Sequence, residues 1–162
     1  MNPLSKILSR DELVNVLDDI RAAGQIIVFT NGCFDILHIG HARYLAAAKA
    51  EGDVLVIGVN SDESVRTIKG EARPVIPQAH RAEVLASLAC VDYVTIFDEP
   101  DPLALIELFK PHVLAKGADW EENRIIGSEF VKANGGRVAR IPLEQDISTS
   151  QIIETIIKKH NQ

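Results

Sequence analysis

Two histidines three residues apart, His38 and His41, follow a glycine-containing turn and stand where an apolar run gives way to an alanine-rich one. Imidazoles so placed can donate hydrogen bonds to phosphate oxygens, ligate a metal, or serve as ordinary cap and packing residues. For the pair alone all three readings are open. With Cys33 the histidines would offer three zinc ligands, but no fourth ligand cluster, CxxC or HExxH motif accompanies them. In the remaining reading, backbone amides of the turn and the positive end of a helix hold a triphosphate while the imidazoles donate to its oxygens. The surrounding elements favour that chemistry.

Those elements can be read from periodicity. Gln25 to Thr30 is a short β-branched run without helical spacing, which predicts a buried parallel strand, and Asn31-Gly32 predicts the turn that ends it. From His41 to Ala50 the chain is rich in alanine, which predicts a helix able to lie close to a sheet. If its first turn includes His38, the spacing puts both imidazoles on one face, and Gly40 leaves room between them for a bulky group. Ser9-Arg10-Asp11-Glu12 before Leu13, Val14, Leu17 and Ile20 predicts a capped leading helix stopped at Gly24. Further strands are expected at Val54 to Val59, Tyr93 to Phe97, His112 to Ala115 and Arg137 to Ile141. Helices are expected at Arg81 to Leu88, Pro102 to Phe109, Ile125 to Lys132 and Ser148 to Lys159, the last with an apolar stripe at Ile152, Ile153, Ile156 and Ile157. This alternation predicts an α/β fold: a doubly wound, mostly parallel five-stranded sheet of Rossmann-like form.

Sheets of that kind bind ligands at the carboxyl ends of their strands, and the remaining polar clusters collect there. Asn60-Ser61-Asp62 follows the second strand and Lys116-Gly117-Ala118-Asp119 the fourth, while Ser148-Thr149-Ser150 opens the last helix. Three consecutive hydroxyls exceed what one helix cap requires, which favours phosphate binding. Lys69 and Arg73 lie in a stretch expected as a polar loop, suited to an anionic substrate. Gly117 permits close backbone approach, Asp119 can accept from a ribose or base donor, and Trp120 can cover a base or pack at the rim.

Composition narrows the classes. A chain of 162 residues is long enough to bury about two-thirds of its unfolded surface in one core. Its formal net charge of -6 argues against a nucleic-acid partner, which would call for a basic patch. Two cysteines, Cys33 and Cys90, suit a reducing compartment, and neither a leader pattern nor a membrane-length apolar run is present, so a cytoplasmic protein without a membrane partner is expected. The GxGxxG and GxxxxGK[ST] fingerprints are missing, which turns the reading away from ordinary dehydrogenases and P-loop kinases.

Gly32-Cys33-Phe34-Asp35-Ile36-Leu37-His38-Ile39-Gly40-His41 resembles the Gly-x-Phe-Asp-x-x-His-x-Gly-His motif of the HxGH nucleotidyltransferases. Within them the chain resembles the bacterial heptose 1-phosphate adenylyltransferases from about Ile26 to Ile157. The shared blocks are Thr30 to Asp35, Val59 to Asp62, Lys69-Gly70 with Arg73-Pro74, Lys116-Gly117-x-Asp119, Gly135-Gly136 and Ser148-Thr149. The capped helix makes residues 1–24 a helical lead, and the resemblance implies a single nucleotidyltransferase domain over 25–162. It implies His38, His41 and Lys69 as catalytic residues. It also implies a nucleotide site of Thr30, Asn31, Gly32, Phe34, His38, Gly40, His41, Lys116, Gly117, Asp119, Ser148, Thr149 and Ser150. Asp35, Asn60, Lys69 and Arg73 would bind the second substrate. The reactants would be ATP and a sugar 1-phosphate, with Mg²⁺ carried by the nucleotide, a separate sugar kinase upstream, and a homodimer or larger assembly.

Two departures bear on the base. Ala118-Asp119-Trp120 replaces the Gly-Asp-Tyr of those relatives, and the tryptophan resembles the glycerol 3-phosphate cytidylyltransferases. Those enzymes carry Arg-Thr-x-Gly before Ile-Ser-Thr, where this chain has Leu143-Glu144-Gln145-Asp146, and the missing arginine favours adenylyl transfer. Asp146 stands in for a glycine and tolerates left-handed backbone better than most residues. The alternatives are a cytidylyltransferase acting on glycerol 3-phosphate and a nucleotide-binding module without chemistry.

Overall fold

The computed structural model describes residues 2–144 and 147–160. Its strands are Ile27–Gly32 (β1), Val54–Asn60 (β2), Tyr93–Phe97 (β3), Val113–Gly117 (β4) and Arg137–Ile141 (β5). They form one sheet in the order β3-β2-β1-β4-β5, and every pairing is parallel, so the mostly parallel sheet expected from sequence is wholly so. The helices are Arg10–Ala22 (α1), Ile39–Lys49 (α2), Asp62–Lys69 (α3), Gln78–Ala86 (α4), Leu103–Phe109 (α5), Ser128–Ala133 (α6) and Thr149–His160 (α7).

The period-two alternation of each strand divides its side chains between two cores. Val28, Leu55, Ile57, Val59 and Val94 face one cluster with Leu45 and Ala48 of α2 and Leu85 of α4. Ile27, Phe29, Val56 and Leu114 face the other with Leu13 and Leu17 of α1 and Leu105, Ile106 and Phe109 of α5. Both faces are therefore covered, which explains why β2 is buried along its whole length and reads as a continuous apolar run. The leading helix packs into the second cluster, and its Ser9-Glu12 capping box is formed. No helix among the described residues is long and apolar enough to cross a membrane.

Several boundaries differ from expectation, each for a local reason. Asn31 and Gly32 do not end β1 but extend it, pairing with Gly58 and Val59 of β2. His38 is the N-cap of α2 with extended backbone, not part of its first turn. Helix α3 was not expected because its eight residues bury only Ser64 and Val65, too little for a visible apolar period; it is fixed by Ser61, whose hydroxyl accepts from Ser64 N–H. Helix α4 begins earlier than its apolar pattern, directly after Pro77. The segment expected as one helix from Ile125 is a 3-10 turn at Glu122–Arg124 followed by α6, separated by Gly127 in left-handed backbone. The apolar stripe of α7 enters neither core, and Ile156 and Ile157 are half exposed. Asp146 lies outside the described residues.

Leu17 is 1% exposed on α1 against the sheet. Leu17→Ala is expected to lower stability by about 2–5 kcal/mol in urea unfolding while leaving a single cooperative transition. A separate early transition would show that residues 10–22 unfold independently of the sheet.

Candidate active site

Strand order reverses at β1, with β2 on one side and β4 on the other. The β1–β2 ladder runs from Ile27 to Gly32, whereas β1 and β4 pair only at Val28↔Val113 and Phe29↔Leu114. Beyond those pairs the two strands splay, opening the crevice where doubly wound sheets bind ligands. A cavity of about 600 Å³ lies there.

Residues just past β1 build its floor. His38 Nδ1 accepts the Gly40 N–H at 3.2 Å, so the proton of the neutral ring sits on Nε2. A Cβ on Gly40 would come within 3.0 Å of that imidazole, so the glycine gives the His38 cap its room, and Gly40 also lines the cavity. The rings of His38 and His41 stack with centroids 3.9 Å apart, and Phe34 packs edge-on against His41 at 5.4 Å. Phe34 has φ +44°, an uncommon conformation for a bulky residue, at the bend that carries the chain from β1 toward α2. Nδ1 of His41 is buried without a partner, and because an orphaned N–H is the costlier state, the proton belongs on Nε2 here as well. Burial pushes the His41 pKa down to about 4, with the neighbouring His38 adding to the shift. Burial also lowers His38. Both histidines are thus neutral N–H donors at physiological pH.

Asp35, within the same motif, has a fully buried side chain. Its carboxylate accepts the N–H groups of Val75 and Ile76, each at 2.8 Å, and pairs with Nε of Arg73. Burial alone would raise this carboxyl; the two N–H donors and the guanidinium outweigh it and hold it below the usual carboxylate range. Asp35 therefore anchors the segment that brings Arg73 to the cavity. Lys69 reaches the same cavity from the end of α3. Arg81 was not foreseen as a site residue. Its buried guanidinium donates to the carbonyl oxygens of Cys33 and Ile76 and pairs with Asp62 at 2.7 Å, tying the histidine segment, the Arg73 segment and α3 together. A lone arginine in a helical pattern gives no sequence signal for such a role.

On the other side, Lys116 stands opposite Asn31 where the β1–β4 ladder has stopped, and its Nζ donates to Asn31 Oδ1. Burial pushes Lys116 down to about 8. A Cβ on Gly117 would run into the Asp119 carboxylate and lie 2.9 Å from Leu143, so the side chains of its own neighbours take up that space, and Asp119 and Trp120 line the cavity beside it. Ser148 Oγ accepts from Gln151 N–H as the cap of α7, and Ser148, Thr149 and Ser150 all line the cavity. Gly32, Asn60 and Tyr44 line it too, Tyr44 without having been anticipated. Thr30 is the expected site residue that does not; it is wholly buried with its hydroxyl 2.8 Å from that of Tyr44.

The zinc reading has no geometric support, since no group of three or more His, Cys, Asp or Glu among the described residues is placed to hold a metal ion. Burial also raises the Cys33 thiol, disfavouring the reactive thiolate.

The cytidylyltransferase-like family profile matches residues 29–155, the stretch that contains this cavity's floor and both flanks. The chain belongs to the cytidylyltransferase-like family. By that membership it is a nucleotidyltransferase, a class that generally uses a divalent metal. The bifunctional protein HldE of Geobacter metallireducens is 49% identical over 158 residues, covering 98% of this chain and 32% of that protein. HldE of Helicobacter acinonychis is also 49% identical, over 96% of this chain and 32% of its own length. The chain thus spans about a third of the curated relatives it matches. Among solved structures, the lipopolysaccharide core biosynthesis protein of Thermoplasma volcanium superposes with a TM-score of 0.62 at 28% identity, over 75% of this chain and 98% of its own. The pantoate-beta-alanine ligase of Francisella tularensis, at TM-score 0.59 and 17% identity over 96% of this chain and 79% of its own, shares the fold.

Lys116 is charged below about pH 8 and neutral above it, so an anionic ligand that needs its charge binds less tightly as pH rises through that value. ATP affinity measured by calorimetry is expected to fall between about pH 7 and pH 9.5. Lys116→Met should remove that step and weaken binding at neutral pH by about ten- to a hundredfold. An unchanged pH dependence in the variant would separate Lys116 from the anion.

Proposed function

We propose that the protein transfers AMP from ATP to a heptose 1-phosphate, giving ADP-heptose and pyrophosphate for the assembly of lipopolysaccharide core or a related surface glycan. The observation that carries this reading is the facing of two neutral imidazole donors by Lys69, Arg73, Lys116 and the α7 hydroxyls across one crevice, in a chain 49% identical to HldE proteins. The bond-making step is attack of a sugar-phosphate oxygen on the α-phosphorus of ATP. The bond from that phosphorus to the bridging oxygen breaks, and its electron pair leaves with pyrophosphate. The nucleophile is already ionised, so no general base is required, and the chain's contribution is positioning and charge stabilisation.

In this scheme Nε2–H of His38 and of His41 donate to the α-phosphate and bridging oxygens. Lys69 and Arg73 hold the sugar phosphate, and Lys116 balances the nucleotide. Gly32, Phe34 and Gly40 shape the floor under the phosphates, while Asn31 orients Lys116. Gly117, Asp119 and Trp120 border the nucleoside, and Ser148, Thr149 and Ser150 hold the departing pyrophosphate. Asp35 acts through Arg73. Mg²⁺ would ride on the triphosphate, where it neutralises phosphate charge. The proposal extends to a cytoplasmic homodimer or larger assembly supplied by a sugar kinase activity.

His41→Ala, folded by circular dichroism, is expected to release pyrophosphate from ATP and D-glycero-D-manno-heptose 1-phosphate about 10²- to 10³-fold more slowly than wild type. Full turnover in that variant would sink the role given to the imidazoles. Wild-type release with CTP and glycerol 3-phosphate in place of these substrates would move the enzyme to cytidylyl transfer, and ATP binding without release in any pair would make it a binding module.

A further inference from the structure

Asn60 ends β2 and is 3% exposed, yet it lines the cavity on the side away from Lys116. Its amide orientation is dictated by its neighbours. The Ser64 hydroxyl has one proton and gives it to the Glu99 carbonyl at 2.9 Å, an oxygen that can only accept. Ser64 Oγ must then receive a hydrogen bond from Asn60, at 3.0 Å, so the NH₂ of Asn60 faces Ser64. The carbonyl Oδ1 is left with no partner among the described residues and is not among the buried unpartnered atoms, which leaves it open to the cavity. Asp101 adds a second acceptor on this side: one carboxylate oxygen takes the Leu103 N–H at 2.9 Å, and the other is free among the described residues.

An oxygen that can only accept is repelled by phosphate and is satisfied by a hydroxyl. Lys69 and Arg73 line the same cavity and suit a phosphate ester. We propose that the β2 side of the cavity is a hydroxyl-reading subsite in which Asn60 Oδ1 accepts a hydrogen bond from a hydroxyl of a phosphorylated polyol, making Asn60 a specificity-determining residue for the second substrate. This rests on the reading of that substrate as a sugar phosphate.

The test compares heptose 1-phosphate with methyl phosphate, which offers the cations the same charge and the acceptors no hydroxyl. In calorimetry wild type is expected to bind the sugar phosphate about tenfold or more tightly than methyl phosphate. Asn60→Leu should abolish that gap while leaving methyl phosphate and ATP affinities unchanged. A parallel measurement on the wild-type protein uses monodeoxy forms of the sugar phosphate, one of which should lose about tenfold. Equal wild-type affinity for the two phosphates, a gap that survives Asn60→Leu, a loss confined to ATP, or indifference to every deoxy form would each overturn the proposal. A retained, Asn60-dependent gap without pyrophosphate release would instead overturn adenylyl transfer and leave the subsite standing.

Discussion

A carboxylate shut away from water joins the two halves of this site. Asp35 belongs to the segment that follows β1 and leads to the histidines, and it takes backbone N–H groups from Val75 and Ile76 together with the guanidinium of Arg73. A buried charge without such partners would be strongly unfavourable, so the bonds are obligatory once the residue is inside. They hold the Arg73 segment against the histidine segment whatever else happens in the crevice. The residue most central to the motif thus works on the protein backbone.

Arg81 repeats the logic from the next helix. Its guanidinium bridges the carbonyls of Cys33 and Ile76 and the carboxylate of Asp62, so the loop after β1, the loop after α3 and the start of α3 share one donor. Lys69 and Arg73 extend from elements held in this way, which lets two like charges face one cavity on a pre-formed frame. Preorganised donors of this kind need no rearrangement at the moment of reaction.

The electrostatics follow from burial. His38 and His41 share a stacked, half-buried position that disfavours a charge on either ring, leaving two N–H donors that do not repel each other. Lys116 is the opposite case, an ammonium in a splayed gap between strands with one neutral acceptor for company. An anion entering the crevice restores what burial took from it.

Much of this was legible in the chain. The β-branched runs at Ile27, Val54 and Tyr93 and the alternation of strand with helix specify a wound parallel sheet, because only a sheet covered on both faces uses continuous apolar strands. The spacing of His38 and His41, the Ser9-Glu12 box and the hydroxyls at Ser148 to Ser150 are local patterns, and local patterns survive in sequence. Helix α3 escaped because eight residues with one buried aliphatic side chain carry no period, and the length of β1 escaped because a turn-like Asn-Gly pair was recruited by the ladder to β2. Contacts between distant residues lie outside any reading by spacing. That Thr30 turns inward to Tyr44, that Arg81 reaches three segments, that Lys116 meets Asn31 and that Glu99 takes the Ser64 hydroxyl proton, which fixes the amide of Asn60, are decided by the packing of helices on the sheet. The sequence alone determined the kind of sheet and the residue types at its carboxyl edge; the tertiary structure decided which of those residues face the crevice and which hold it open, since partners tens of residues apart, such as Arg81 with Cys33, Lys116 with Asn31 and Ser64 with Glu99, are chosen only when the core brings them together.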